Sequence, residues 1–420
     1  MQEVLHPGYV DKFKCIASDC EDPCCCGWRV TIDKESYERY QYMEQTEGGD
    51  LFRGKLTRDN IMPVEGSFAE VVLSENSCPF LTEKKLCRIQ EAYGEDYLSV
   101  TCATFPRSFN RVNGKLELAL NMSCPHAARL ALSDTAPMRF SLAKLEVDPK
   151  IYKIPTLNST DTGYPNRVHP YFDVVRSFII ALLQNRKYVF EDRLIILGRF
   201  CNDLDSMRDS PNSEVIRLVE EYTDRIDHFE FNSFIKTIPV QPAVLLKALI
   251  NLIEFRLKTN ATGKRFLECF DRFRQGINYT DEQPEESLAA AYTEVKSRCY
   301  DHFMNRHEHI FENYFVNYVF KTLFPFGQEK SIYKKDVFTV SRTAFTEFML
   351  LAIQYAMIKN LAIGTAGYYK DQFGTPHVLK VIQSFAKNID TDVPYLQTLL
   401  KFFKENNMLN FACAVMLVKS

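Results

Sequence analysis

The sequence predicts a mainly α-helical protein in which a small, irregular, cysteine-rich α+β domain precedes a larger α-helical bundle domain. Three observations lead to this prediction. Nine of the 13 cysteines lie between Cys15 and Cys124, in little more than a quarter of the 420 residues. The turn dipeptide Asn113-Gly114, followed by the alternating segment 115–120, predicts a β-hairpin. Beyond residue 166, apolar residues recur at helical spacing almost to the end of the chain.

The elements before and just after the hairpin are predicted to be short. Strands are expected over Trp28–Ile32 and Ala69–Leu73, and a helix of one or two turns over 86–93. Asp33 is expected to cap a helix, because an aspartate side chain accepts hydrogen bonds from the first free N–H groups. Ser123 is expected to cap another helix over 125–132, where Pro125 suits the first turn.

A change of composition between residues 145 and 166, rich in Pro, Asp, Asn and Thr, predicts a linker. We therefore expect two domains, 1–145 and 146–420. The last three helices are predicted at about 336–361, 370–388 and 394–418. The most apolar stretch, Phe345 to Ile363, contains Glu347 and Lys359. It is predicted to be a buried helix, since a membrane span needs about 20 residues nearly free of charge.

Charge and the N-terminus narrow the class of protein. The net charge is −3 and the pI about 6.3, which does not indicate binding to nucleic acid or to an anionic membrane. The first residues lack the basic start and apolar core of a signal peptide. We expect a cytoplasmic protein, and in that reducing compartment clustered cysteines favour a metal or redox site over disulfides.

The cysteine spacing favours a metal or cluster site without identifying the metal. Several converging thiolates suit either zinc or an iron–sulfur cluster. The tidy CxxC pairs typical of structural zinc are missing, and the irregular gaps favour iron–sulfur, with zinc as the alternative. The CxxxCxxC signature of radical S-adenosylmethionine enzymes is not met either, because Gly27 stands where the third cysteine would fall after Cys20 and Cys24. The competing interpretation is that these are free cysteines packed as small apolar residues, which is the interpretation we prefer for Cys201, Cys269, Cys299 and Cys413.

These motifs together resemble the flagellin lysine N-methylase family. The resemblance rests on Cys15-x4-Cys20-Glu-Asp-x-Cys24-Cys25-x-Gly27-Trp28, Cys78-Pro-Phe-Leu, Leu86-Cys87-x-Ile-Gln, Cys102-x-x-Phe-Pro-Arg107 and Ser123-Cys124-Pro. It covers about the first 130 residues closely, and Glu312-Asn-Tyr-Phe-Val-Asn-Tyr318 resembles the helical half of the family. The middle motifs are also similar to small zinc- or iron-chelating proteins.

The resemblance implies an S-adenosylmethionine-dependent protein-lysine N-methyltransferase that acts on surface lysines of flagellin. It also implies an iron–sulfur cluster, 4Fe–4S in our expectation, held by some of the eight recurring cysteines, which are Cys15, Cys20, Cys24, Cys25, Cys78, Cys87, Cys102 and Cys124. Cys26 falls on a variable position of the family pattern, so the resemblance does not imply a role for it. Eight thiols exceed the needs of one cluster, so two sites or additional structural thiols are expected. Our preferred ligands are Cys78, Cys87 and Cys102 with one cysteine from the 20–25 group.

Other candidate site residues are few, and no catalytic residue is assigned. Arg107 is a candidate for the carboxylate of S-adenosylmethionine or for an anionic cluster, against a salt bridge at the hairpin edge. Glu308 and Glu312 are weaker candidates for binding the substrate lysine. Asp19, Glu21 and Asp22 can attract a basic substrate or simply form a solvated loop. The glycine-rich segment 364–367 follows a predicted helix, so we expect no Rossmann-type cosubstrate site.

Two other classes of function compete with the enzyme. One is a non-catalytic zinc- or iron-chelating protein whose helical half binds a partner. The other is an iron–sulfur electron carrier without affinity for S-adenosylmethionine.

Overall fold

The computed structural model describes residues 1–46, 49–59, 64–147, 156–160, 168–207, 213–238, 245–259, 262–327 and 340–419. Within these ranges the protein is mainly α-helical, with two small sheets formed by the N-terminal part of the chain. This confirms the predicted fold class. The predicted domain boundary at residue 145 stays a prediction.

The strands form one five-stranded and one three-stranded sheet. Their bounds are β1 Gln2–Pro7, β2 Thr31–Ile32, β3 Leu56–Arg58, β4 Ala69–Val71, β5 Arg107–Val112, β6 Lys115–Leu120, β7 Phe140–Leu145 and β8 Thr156–Leu157. The larger sheet has the order β7-β1-β6-β5-β8, and the smaller has the order β2-β4-β3. Strands β5 and β6 are the predicted hairpin, and both turn residues, Asn113 and Gly114, have positive φ.

The helices of the N-terminal part are short. They are α1 Lys34–Glu44, α2 Arg88–Tyr93, α3 Val100–Thr104 and α4 Pro125–Leu132. The remaining helices are α5 Phe172–Leu183, α6 Phe190–Ser206, α7 Ser213–Asp227, α8 Phe231–Thr237, α9 Leu246–Thr259, α10 Lys264–Gly276, α11 Glu285–Val295, α12 Asp301–Met304, α13 His309–Thr322, α14 Ala344–Tyr369, α15 Thr375–Phe385, α16 Val393–Glu405 and α17 Phe411–Lys419. Two π-helical segments follow α11 and α15, at Lys296–Tyr300 and Ala386–Asp390.

The capping predictions came out differently at the two sites. Asp33 caps α1 as predicted, since its Oδ1 accepts the Ser36 N–H at 2.9 Å. The prediction for Ser123 was wrong, because the N-cap of α4 is Cys124 and the Ser123 hydroxyl has no hydrogen-bond partner among the described residues. One position separates the two caps, and the proline at the first helical position is compatible with either.

The last helices also differ from their predicted bounds. The helix expected over 394–418 is two helices, α16 and α17, because Asn407 takes a left-handed conformation with φ 55° between them. Helix α14 continues to Tyr369, past the predicted end at 361. Gly364 and Gly367 lie inside it, where the backbone of Gly276 at the end of α10 approaches both residues closely. The glycine-rich segment is therefore a close helix contact.

The buried apolar residues form separate cores. The largest core unites the helices with the N-terminal residues Tyr9 and Phe13 and with helix α4. A smaller core belongs to the cysteine-rich segment and contains ten buried residues, which are Val30, Ile32, Tyr40, Met43, Phe52, Ala69, Val71, Phe80, Ile89 and Leu98. Because this core is small, the segment depends on further interactions to hold its shape.

Helix α14 confirms the prediction of a buried apolar helix. Its length and hydropathy would suit a membrane span, but the most apolar window is entirely buried inside the protein. Its charged residues are paired. Glu347 accepts two hydrogen bonds from Arg342, and the Lys359 ammonium lies 2.7 Å from Glu191 Oε1.

Glu308 and Glu312, the weaker candidates for binding the substrate lysine, belong to a buried ion cluster. Glu312, fully buried on α13, accepts hydrogen bonds from Arg193 Nη1 at 2.8 Å and from Arg186 Nη2 at 2.8 Å. Glu308 contacts Arg193 Nη2 at 3.2 Å. Both carboxylates therefore connect α13 to α6, and Glu312 also pairs with Arg186 in the loop between α5 and α6.

Glu312→Gln is expected to destabilise the protein by about 3–5 kcal/mol, because it removes the shorter of the two carboxylate contacts of buried Arg193 and leaves it only the 3.2 Å contact with Glu308. Glu405→Gln is the matched control, since Glu405 pairs with Lys401 at 3.7 Å on the surface and should unfold like the wild type. Urea unfolding measures both. Equal unfolding midpoints for the two variants would contradict a structural role for Glu312.

Candidate functional site

A short backbone pairing brings the first cysteines beside the third motif. Cys25 O accepts the Cys78 N–H at 2.8 Å, and Asn76 O accepts the Gly27 N–H at 2.8 Å. Between them, Cys26 and Ser77 form a β-bridge, with their side chains 3.3 Å apart. Gly27 has φ 75°, a conformation that favours glycine. The turn therefore carries Cys24 and Cys25 to the start of the Cys78 loop.

The next two cysteines are placed by a tight loop. Leu81 pairs with Cys87, and the Arg88 N–H donates to Phe80 O at 2.8 Å, so the chain returns close to Cys78. The loop packs on the small core through buried Phe80. Cys87 is the N-cap residue of α2, where burial raises the pKa of its thiol and the backbone N–H groups of Gln90 and Ile89 partly lower it.

Cys102 joins them through helix α3, whose N-terminus is anchored to α1. Ser99 caps α3 and its hydroxyl accepts the Cys102 N–H at 3.3 Å. Asp33 Oδ2 accepts the Val100 N–H at 2.9 Å while Asp33 Oδ1 caps α1. One carboxylate thus organises the first turns of two helices.

The cysteines fall into two groups. Members of the first group interact electrostatically with one another and consist of Cys24, Cys25, Cys78, Cys87 and Cys102. Members of the second group are Cys15, Cys20 and Cys124. The groups adjoin where Cys20 approaches Cys24. Of the eight predicted cysteines, five therefore influence one another's ionisation, and the other three form a second such group.

The electrostatics of the first group are uneven. Burial raises the pKa of Cys78 to about 11. A hydrogen bond with the Cys25 thiol, together with the nearby Lys387 ammonium, lowers the pKa of Cys24 to about 7. The same hydrogen bond raises the pKa of Cys25, so this pair favours one thiolate next to one thiol.

The second group lies against helix α4. Cys124 is the N-cap residue of α4, where burial raises the pKa of its thiol to about 11 although the N–H groups of Ala127 and His126 favour the thiolate. The segment with Cys15 and Cys20 is held on both sides, since the ring of Phe13 lies 5.8 Å from that of His126 and Glu21 pairs with Arg129.

Nearby backbone N–H groups make these cysteines suitable as thiolate ligands of zinc or iron. Burial raises the pKa of Cys20, Cys78, Cys87 and Cys124, and the neighbouring N–H groups lower it in part. Among the described residues, however, no group of three or more His, Cys, Asp or Glu side chains is arranged so that it could hold a metal ion. The donor chemistry therefore fits a thiolate-bound metal, and the choice of ligands stays a prediction.

The other candidate residues have simpler surroundings. Arg107 is exposed at the start of β5, with its guanidinium 5.5 Å from the centre of the Phe13 ring, so its predicted role stays a prediction. Cys201, Cys269 and Cys413 are buried in the helical core, as expected. Cys299 is partly buried and packs against the same core.

The acidic residues of the first cysteine segment are partnered by cations of the rest of the protein. Glu21 pairs with Arg129 and lies 3.8 Å from Arg265 Nη2, and Asp22 pairs with Lys387 at 2.7 Å. The expectation of a solvated loop holds for Glu21, which is exposed, and was wrong for Asp22, whose side chain is 12% exposed and pairs with Lys387. No periodicity or motif around Lys387 could have indicated this contact, because the partners are 365 residues apart.

A glycine–glycine contact completes the junction between the cysteine-rich segment and the helices. A Cβ atom on Gly27 would lie 2.5 Å from the Cα of Gly263, the N-cap residue of α10. Asn76 donates from its side-chain amide to Thr262 O next to it. The close approach requires glycine at position 27, whereas a Cβ atom on Gly263 would meet no neighbour closer than 3.7 Å.

Gly27→Ala is expected to weaken this junction and to destabilise the protein well beyond the cost of a left-handed alanine, which is about 1–2 kcal/mol. Gly54→Ala is the matched control, because Gly54 also has positive φ, 67°, but no atom within 4 Å of its added Cβ. Chemical unfolding compares the two. Equal losses of stability would show that the Gly27–Gly263 contact does not contribute to the free energy of unfolding.

Comparison with known proteins connects this arrangement to curated relatives. The chain is 31% identical over 143 residues to a lysine-N-methylase of Salmonella typhimurium. The aligned segment covers 33% of this chain and 34% of the relative. It is 31% identical over 140 residues to the flagellar biosynthetic protein FliU of Salmonella muenchen, which covers 32% of this chain and 80% of the relative. The chain thus matches about a third of the length of the lysine-N-methylase. No solved structure matches it significantly.

A family model strengthens the relationship over the helical part of the chain. The model described as the FliB lysine N-methylase C-terminal domain matches residues 176–417, from helix α5 to α17. Because this match spans more than half of the 420 residues, the chain belongs to the FliB lysine N-methylase C-terminal domain family.

Proposed function

We propose that the protein is an S-adenosylmethionine-dependent protein-lysine N-methyltransferase that acts on flagellin in the cytoplasm and carries an iron–sulfur cluster on its N-terminal cysteines. The observation that carries the proposal is family membership, since residues 176–417 match a lysine N-methylase domain. The names of two relatives, lysine-N-methylase and flagellar biosynthetic protein, support the reaction and a flagellar substrate.

The first group of cysteines is the proposed ligand set. Cys78, Cys87 and Cys102, with Cys24 or Cys25, supply four sulfurs from neighbouring loops of the same small core. The N–H donors at Cys78 and Cys87 stabilise thiolates and would tune a bound cluster. When bound through only three of these four thiolates, a 4Fe–4S cluster would keep one iron open and would supply a coordination position for the amino and carboxylate groups of S-adenosylmethionine.

The methyl transfer itself makes simple demands on the protein. The lysine must lose its ammonium proton so that the nitrogen lone pair can attack the sulfonium methyl carbon. The new N–C bond forms as the S–C bond breaks. The electron pair of the S–C bond returns to sulfur, and S-adenosylhomocysteine leaves. Alignment of the two reactants supplies much of the rate. Arg107, exposed beside the Phe13 ring, is the proposed partner of the cosubstrate carboxylate.

A non-catalytic alternative is favoured by one observation, the small size of the cysteine-rich core. Ten buried apolar residues stabilise little on their own, so a zinc ion bound by the thiols would serve as a structural clamp. The protein would then bind a partner without modifying it.

Metal analysis of anaerobically purified protein separates these functions. We expect iron and sulfide in cluster proportion with absorption at about 400 nm, and transfer of a labelled methyl group from S-adenosylmethionine to lysines of flagellin. Colourless protein with stoichiometric zinc and no methyl transfer would support the clamp. Reversible reduction without methyl transfer would support an electron carrier.

Cys87→Ser is expected to lose most of the iron and to lower methyl transfer by about 10–100-fold or more, because it removes a ligand of the cluster. Cys299→Ser is the control, since Cys299 lies in the π-helical segment after α11 and should retain both iron and activity. If Cys87→Ser kept its full iron content, the assignment of the first group would be wrong.

A further inference from the structure

The segment Cys20–Gly27 has no apolar anchor of its own. Apart from Gly27, none of its residues is buried, and it forms bends and turns without a helix or a strand. A segment of this kind is held by specific polar contacts or is free to move. Its position matters, because it carries Cys20, Cys24 and Cys25 of the recurring set.

A buried lysine makes one of the polar contacts of this segment. The side chain of Lys387 is 3% exposed, and its Nζ lies 2.7 Å from Asp22 Oδ1, whose side chain is 12% exposed. The same ammonium donates to Pro23 O at 3.1 Å. One cation therefore binds both a side chain and the backbone immediately before Cys24.

A second residue, one turn earlier on the same helix face, reinforces the contact. Gln383 is 1% exposed, and its Nε2 donates to Asp22 Oδ2 at 2.8 Å and to Ser123 O at 2.8 Å. Both carboxylate oxygens of Asp22 are thus engaged. Because Ser123 precedes Cys124, Gln383 also connects the two cysteine groups.

The other end of the segment is fixed from the same place. Asn388 follows Lys387 in the π-helical turn 386–390, and its Oδ1 accepts the Gly263 N–H at 3.0 Å. Gly263 is the residue against which Gly27 packs. Arg256 in turn donates to Asn388 O at 2.8 Å. The π-helical turn therefore fixes Asp22 directly and Gly27 through Gly263. Such turns often occur at functional sites because they redirect side chains within a helix.

We infer that Lys387 and Gln383 are positioning residues that hold the Cys20–Gly27 segment in place through Asp22, so that the helical region sets the arrangement of the first cysteine group. A buried ion pair of this kind gives orientation more than stability, since an apolar pair of the same volume would fill the space equally well. The consequence for a bound cluster rests on the proposed function, whereas the positioning itself does not.

Hydrogen–deuterium exchange of the full chain tests the inference without requiring iron or cosubstrate. Lys387→Met is expected to speed amide exchange in residues 20–27 about tenfold or more, because it leaves Asp22 without its cation and removes the hydrogen bond to Pro23 O. Lys387→Arg, which retains the cation, should restore most of the protection. Asp22→Asn tests the contact from the cysteine side and leaves the helical core intact should Lys387→Met fold poorly.

Lys419→Met is the matched control, since Lys419 forms a comparable half-buried pair with Asp192 at 2.8 Å. It should leave exchange in residues 20–27 unchanged. The inference is overturned if Lys387→Met and Asp22→Asn exchange like the wild type in that segment, or if Lys419→Met has the same effect there. If the variants show the expected faster exchange but the protein contains no iron, the positioning role is supported and only the proposed cluster is contradicted.

Discussion

The burial of helix α14 is the constraint on which the helical region depends. Every residue from Ala344 to Ala366 is buried, so neighbours must cover this helix on all sides. Its polar residues can be buried only because the neighbours bring partners, such as Glu191 for Lys359 and Tyr292 for Asn360. The close approach of α10 at Gly364 is part of the same requirement. This packing creates the frame that carries the π-helical turn 386–390.

The cysteine-rich segment is organised differently, because its own core is small. Its thiols lie near backbone N–H groups that favour their charged form, and its position relative to the helices depends on polar contacts and on the close approach of Gly27 to Gly263. The two parts of the chain are therefore mechanically connected. Lys387 in the helical region contacts Asp22, which lies two residues before Cys24. This connection offers a physical reason for combining a thiol centre with a large helical domain in one chain.

Local elements were predictable where the chemistry is local. The Asn113-Gly114 turn and the Asp33 cap depend on residues a few positions apart, and both formed as expected. The break at Asn407 and the continuation of α14 through Gly364 were missed, because each depends on a conformation or neighbour that spacing does not encode. The candidate site shows the same division. The recurring cysteines were found from motifs, but their separation into groups of five and three was not.

The sequence by itself determined the fold class, the buried character of α14 and the set of cysteines that can carry thiolate chemistry. These follow from apolar periodicity and residue type, which act over a few turns of chain. Only the tertiary structure decided which thiols are neighbours, that Glu312 belongs to a buried ion cluster, and that Lys387 contacts Asp22. Such contacts join residues more than a hundred positions apart. Their energies depend on burial and orientation, which arise only when the whole chain packs.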